Sequence, residues 1–181
     1  SSITCPPPGG FLQATIEGEN AILESVMLGL SENKKTKLIC ELFCGSGTIT
    51  LPLLKKPYQI HAFELDKESL KSLDFAARKE SFGNRVKTKV RDLKNFPLTS
   101  DELSKYDAII VDPPRSGAKL QFLNIARSNV SIIISISCNI NTFVRDAKIL
   151  IESNYELKWV QPIDQFLFSA HVELVAIFQL K

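Results

Sequence analysis

Soft metal ligands are scarce in this chain of 181 residues, which has two histidines, one methionine and four cysteines. The cysteines, Cys5, Cys40, Cys44 and Cys138, form no Cys-x-x-Cys pair and stand at no zinc-finger spacing from the histidines. No metal is expected. A disulfide framework is not expected either, because a domain this size, 44% hydrophobic, builds a core without one. The cysteines read as reduced thiols of a cytoplasmic protein, with Cys40 and Cys5 structural. Long apolar runs are missing too. Charges interrupt every hydrophobic stretch, which argues against a membrane span. The start, Ser1-Ser2-Ile3-Thr4-Cys5-Pro6, lacks the basic residues and apolar segment of a signal peptide. It also lacks an initiating methionine, so a fragment or a processed product is expected. A net charge of +2 is too small to argue for nucleic acid or membrane by itself. Repeats and low-complexity tracts are absent.

What remains is an alternation. Pro6-Pro7-Pro8-Gly9-Gly10 reads as an extended linker over residues 1–10, ahead of one domain over residues 11–181. Ile16 to Leu30 carries apolar residues at helical spacing. Strands are predicted at Lys37–Phe43, Gln59–Phe63, Arg85–Val90, Asp107–Val111 and Val130–Ile136. Helices are predicted between them at about Thr48–Lys55 and Lys67–Phe82, with another after Pro114. A further helix, Asn141–Glu152, is followed by two strand patterns, Glu156–Pro162 and His171–Gln179. The alternation argues a parallel sheet with helices on both faces, and the last two strands an antiparallel hairpin at one edge. The expected fold is α/β, a Rossmann-like, mostly parallel seven-stranded sheet with a C-terminal antiparallel hairpin.

In such sheets ligands bind at the carboxyl ends of strands, and the chemistry-bearing residues gather there. Gly45-Ser46-Gly47 follows the first strand and opens a helix, where glycines let backbone approach a ligand. Thr50 stands where the dinucleotide fingerprint has its third glycine, which disfavours pyrophosphate and suits a nucleoside without it. Glu64, ending the second strand, can accept both ribose hydroxyls. Asp92, after the third, reads equally as an adenine acceptor or as a turn cap. Asp112-Pro113-Pro114-Arg115 ends the fourth strand in a rigid shelf that lacks donors. Amino-group methyltransferases have an aromatic residue where Arg115 stands, and Arg115 binds phosphate better than it stacks on a flipped base. Cys138 ends the fifth strand between Ser137 and Asn139, where a thiolate can be exposed, although buried structural cysteines are the commoner kind. His171 and Glu173 would share one face of the last strand, and taken alone they read as the charged face of an edge strand. Lys87, Lys89, Arg91 and Lys94 read as a solvated face before an RNA grip.

Together these runs resemble the uracil-5 RNA methyltransferase family. The matching pieces, in order, are Phe11-Leu12-Gln13, Phe43-Cys44-Gly45-Ser46-Gly47-Thr48, Asp112-Pro113-Pro114-Arg115-Ser116-Gly117, Ser137-Cys138-Asn139 and His171-Val172-Glu173. The glycine loop is generic to class I methyltransferases, whereas Ser-Cys-Asn followed by His-Val-Glu is specific. The resemblance implies S-adenosylmethionine as cofactor, held by Gln13, Phe43, Gly45, Gly47, Thr48, Glu64, Asp92 and Asp112. It implies Cys138 as nucleophile and Glu173 as general base, with Arg115 and Asn139 toward the substrate. Thr48 and the run Phe166-Leu167-Phe168-Ser169 differ from the family's usual residues. RNA, ribosomal slightly before transfer RNA, is the implied partner. The family's N-terminal RNA-binding barrel has no counterpart in this chain. A methyltransferase acting on another base atom, or a silent cofactor- or RNA-binding module, are the alternatives. The first would tolerate loss of Cys138, and both leave Glu173 unexplained.

Overall fold

The computed structural model describes residues 15–165 and 172–181, so the expected linker lies outside the described residues. Five parallel strands are β1 (Leu38–Leu42), β2 (Gln59–Glu64), β3 (Val86–Val90), β4 (Ala108–Val111) and β5 (Ile132–Ser137). Two more, β6 (Tyr155–Ile163) and β7 (Glu173–Leu180), complete a sheet of order β3-β2-β1-β4-β5-β7-β6. Six helices connect them: α1 (Ile16–Ser31), α2 (Thr50–Leu53), α3 (Lys67–Lys79), α4 (Ser100–Leu103), α5 (Lys119–Ala126) and α6 (Ile140–Ile151).

The sheet divides the core in two. Ile39, Ile60, Ile110, Ile134 and Ile177 face α1, α2 and α3. Leu42, Ile109, Ile133, Ala176 and Phe178 face α4, α5 and α6. With both faces covered, β5 is buried at every residue, which is why its sequence runs almost continuously apolar. Burying each isoleucine contributes roughly 1.5–3 kcal/mol. Gly29 of α1 lets that helix lie close on the sheet, since a Cβ there would run into Ile177.

Four expectations change. The last strand is no edge strand. β7 lies between β5 and β6, antiparallel to both, and its residues Glu173 to Phe178 are buried. Its run Leu-Val-Ala-Ile-Phe is apolar on both faces, the pattern of an inner strand. The second helix is only four residues: past Leu53 the amides of Lys55 and Lys56 donate three residues back, to Pro52 and Leu53, and the chain tightens into turns ahead of Pro57. α3 stops at Lys79, where Ser81 turns left-handed (φ 64) and the Phe82 amide donates back to the Ala77 carbonyl. α4 was not predicted. It is held by a capping box in which Thr99 accepts from the Glu102 amide and Glu102 accepts from the Thr99 amide. The run Thr-Ser-Asp-Glu is the sequence signature for such a cap.

Candidate active site

Parallel strands β1 to β5 present their carboxyl ends together, and β7, being antiparallel, brings its first residue to the same end. Phe43, Glu64, Asp92, Asp112, Cys138 and Glu173 therefore converge, although they are far apart in the chain. The β5–β7 register pairs Ser137 with Leu174. Continued by one residue, it sets Cys138 opposite Glu173.

The loop after β1 carries backbone strain. Phe43 (φ 63), Gly45 (φ 53) and Gly47 (φ 90) all have positive φ. For an aromatic residue that conformation is costly, and such outliers concentrate at ligand sites. A Cβ on Gly47 would strike Leu73, so this glycine serves close packing onto α3. A Cβ on Gly45 would meet nothing within 4 Å, so Gly45 faces open space. Glu64 ties the loop down: its carboxylate accepts from the Gly45 amide (3.0 Å) and from the amides of Leu65 and Asp66. Thr48 begins the turn into α2. Asp92 caps its own turn, accepting from the amides of Lys94 and Asn95 and from the Asn95 side chain. These bonds hold its carboxyl below the usual range. Between Phe43, Leu93, Asn95, Pro114 and Gly117 lies a cavity of about 360 Å³.

The Asp112-to-Gly117 loop is braced by α6. Asn139, the N-cap of α6, accepts from the Asn141 amide and donates to the Arg115 carbonyl (3.3 Å). Thr142 donates to the same carbonyl. Buried Asp146 accepts from the Ala118 amide (3.0 Å) and pairs with Arg145, which reaches the Ser116 carbonyl. Gly117 (φ 71) makes room, since a Cβ there would collide with Arg145 and Asp146. Asn139 thus joins the cysteine loop to the Asp-Pro-Pro-Arg loop.

The electrostatics of the site are acidic. Burial pushes Glu41 up to about 8, opposed by a hydrogen bond donated by Thr50 (2.6 Å) and reinforced by Asp112. Burial, with Glu173 nearby, pushes Asp112 up to about 7. Burial also raises Glu173, against the side chain of Gln165, which donates to it. Glu173 Oε2 is buried with no hydrogen-bond partner among the described residues. Cys138 is half-buried, and burial, Glu173 and Asp112 all raise its thiol, with Arg115 opposing. The resting site therefore holds Cys138 as a thiol. Cys40 and Cys44 are buried and held protonated, as structural thiols are.

Of the expected site residues, Phe43, Gly45, Gly47, Thr48, Glu64, Asp92, Asp112, Arg115, Cys138, Asn139 and Glu173 cluster at this end of the sheet, while Gln13 and His171 lie outside the described residues. Glu41, Arg145 and Asp146 were not foreseen. The signal for Glu41 was a charge inside an apolar strand, and for Asp146 a charge on the buried face of α6, each of which demands a partner.

A crevice of this kind across a β3-β2-β1-β4-β5-β7-β6 sheet is the architecture of class I methyltransferases. Two solved structures share it. One is the Pyrococcus abyssi tRNA (uracil-54, C5)-methyltransferase in complex with S-adenosyl-L-homocysteine, with a TM-score of 0.79 and 24% identity over 94% of this chain and 40% of that one. The other is the magnesium protoporphyrin IX methyltransferase of Synechocystis PCC 6803 with bound SAM, with a TM-score of 0.72 and 15% identity over 91% and 81%. The family model for tRNA (uracil-5-)-methyltransferase matches residues 8–180, and the chain belongs to that family. An uncharacterized RNA methyltransferase of Agrobacterium fabrum is 47% identical over 96% of this chain, and one of Caulobacter vibrioides is 37% identical over 98%. The chain spans 41% and 42% of the length of these two relatives.

Proposed function

We propose that this chain is the catalytic part of an S-adenosylmethionine-dependent RNA methyltransferase acting on carbon 5 of a uridine. The observation that carries the proposal is Cys138 at the end of β5, set by the continued β5–β7 register opposite buried Glu173, with Glu173 and Asp112 both close enough to raise its thiol.

The residues fit the cofactor. Gly45 leaves open space, Glu64 offers a carboxylate at the end of β2, and Phe43, Leu93 and Pro114 line an apolar cavity. Asp112, titrating near 7 with Glu173 nearby, suits a positively charged ligand, which would hold it ionised. Phe43, Gly45, Gly47, Thr48, Glu64, Asp92 and Asp112 would hold it, with Gln13 a further candidate from the family resemblance. When bound, it supplies an electrophilic methyl group.

The protein's own residues supply the rest. Carbon 5 of uracil is a poor nucleophile until a thiolate adds to carbon 6 and places electron density on carbon 5. Cys138 makes that bond. Once carbon 5 carries the methyl group, Glu173 removes its remaining proton, the carbon 5–carbon 6 double bond re-forms and the Cys138–carbon 6 bond breaks. A raised pKa suits Glu173 to this work, since a more basic carboxylate takes a carbon-bound proton more readily. Holding base, thiol and cofactor in one crevice supplies the advantage of proximity. The target base must leave its stack to enter. Arg115 on the shelf is placed for phosphate rather than for the base.

The test is covalent trapping. The protein is incubated with S-adenosylmethionine and RNA containing 5-fluorouridine, then run on a denaturing gel. Fluorine does not leave as a proton, so a shifted band is expected, absent in Cys138→Ala. A band that persists in that variant, or no band while cofactor and RNA both bind, overturns the proposal. Ribosomal fragments are the expected better substrate over transfer RNA in parallel methylation assays.

A further inference from the structure

We propose a second, cationic binding site on this chain, away from the crevice: a groove over β2 and β3, formed by Lys87, Lys89 and Lys105, that holds the phosphate backbone of the substrate RNA. It rests on the proposed function for the identity of the RNA.

The groove follows from the sheet register. On the α4–α6 face, Cys40 pairs with His61 and His61 with Lys87, while Leu42 pairs with Phe63 and Phe63 with Lys89. Two cross-strand rows thus run from the buried core to lysines at the open edge. A full helix between β3 and β4 would cover that end of the face. Here the connection holds only α4, four residues long, and a cavity of about 240 Å³ stays open. Its floor is aromatic: Phe63 and Tyr106 are buried, and the Tyr106 hydroxyl meets His61 Nδ1 at 2.9 Å. Lys105 lies over the Tyr106 ring, 5.1 Å from its centre.

Charge decides what fits. Lys87, Lys89 and Lys105 are exposed, and none is within 4 Å of a carboxylate among the described residues. Glu102 also lines the groove and feels the charge of Lys89, but its carboxylate accepts from the Thr99 amide and its ion pair is with Arg91. Three cations are thus left facing one cavity. His61 registers them: burial first, then Lys87 and Lys105, hold its imidazole below the ordinary value. Lysines on an edge strand also deter stray strand pairing, and β3 is an edge. That role explains Lys87 and Lys89. It does not explain Lys105, which comes from the β4 side and has no edge to guard. A phosphodiester chain offers regularly spaced anions to such a row. At about 3.3 Å per residue, Lys89 lies ~10 Å and Lys87 ~17 Å before Asp92 along the strand, so one RNA segment can reach both groove and crevice.

The experiment measures RNA affinity against salt concentration for the protein, for the triple variant Lys87→Gln, Lys89→Gln, Lys105→Gln, and for a control triple, Lys55→Gln, Lys71→Gln, Lys79→Gln, which removes the same charge elsewhere. Three lost phosphate contacts should lower the slope of log affinity on log salt by about 2 and weaken binding at least tenfold at low salt. The control should keep both, and S-adenosylhomocysteine affinity should be unchanged in all three. A groove triple indistinguishable from wild type overturns the proposal, as do equal losses in both triples, which would report net charge alone. In either case wild-type binding and methylation stand, so the proposed function survives. A wild type that binds no RNA overturns the groove, while the trapping experiment judges the proposed function separately. As a second readout, the His61 imidazole pKa, followed by NMR, should rise when RNA binds, and an unmoved His61 counts against occupancy.

Discussion

Cys138 is held as a thiol by the neighbours it needs. Burial, Glu173 and Asp112 each raise it, because a thiolate there would be a third negative charge in a half-closed site. A cationic ligand reverses that balance. Alkylation of Cys138 by iodoacetamide, followed by mass spectrometry of its peptide, should therefore rise only at higher pH than for an ordinary thiol. The profile should move to lower pH with S-adenosylmethionine and much less with S-adenosylhomocysteine, which lacks the sulfonium charge. Asp112, pushed up to about 7, titrates below the thiol, near neutral pH. Cofactor affinity should consequently increase between pH 6 and 8, with proton release measurable by calorimetry in buffers of different ionisation heat. Glu173→Gln should separate two steps. Methyl transfer persists once, turnover falls about 10²- to 10⁴-fold as for loss of a general base, and protein accumulates on RNA as a covalent adduct on denaturing gels. Free release of methylated product would remove Glu173 from the role of base.

At the scale of elements, the site depends on how one helix grips one loop. α6, capped by Asn139 directly after Cys138, reaches the Asp112-to-Gly117 loop through Asn139, Thr142, Arg145 and Asp146. The cysteine and the rigid shelf therefore move as one body. Removing the Asp146 carboxyl leaves the Ala118 amide and the Arg145 guanidinium without it. Asp146→Ala should cost about 2 kcal/mol and lower Tm by roughly 4–8 °C, read by thermal unfolding. It should also reduce kcat more than cofactor affinity, because the shelf and Cys138 lose their mutual register. The insertion of β7 is the other decisive element. Glu173 meets Cys138 only because β7 runs antiparallel beside β5.

The whole molecule carries a stability cost for its acidic crevice. Glu41 is buried at the carboxyl end of β1, and its carboxyl is raised from an ordinary 4.5 to about 8. A group raised on folding favours the native state in its protonated form. Its contribution is complete below about pH 4.5 and is lost as pH rises through about 8. Asp112 adds to the same trend. Urea midpoints should thus fall between pH 5 and 9, and Glu41→Gln, which stays neutral, should flatten the fall. An equal slope in that variant would remove Glu41 as its source. Among the described residues no helix is long and apolar enough to cross a membrane.

Much of this was legible in the chain itself. Alternating strand and helix patterns determined the layers, because hydrophobic periodicity is local. Strand-ending residues such as Glu64, Asp112 and Cys138 marked the ligand end of the sheet, because parallel strands expose the same end. Tertiary structure alone decided the rest. Strand order is a non-local property, so the chain could not say that β7 enters between β5 and β6, turning Glu173 from an edge residue into the neighbour of Cys138. Protonation states are likewise set by burial and by charges brought together from distant segments. Hence the raised Glu41, Asp112 and Cys138 followed only from the folded packing.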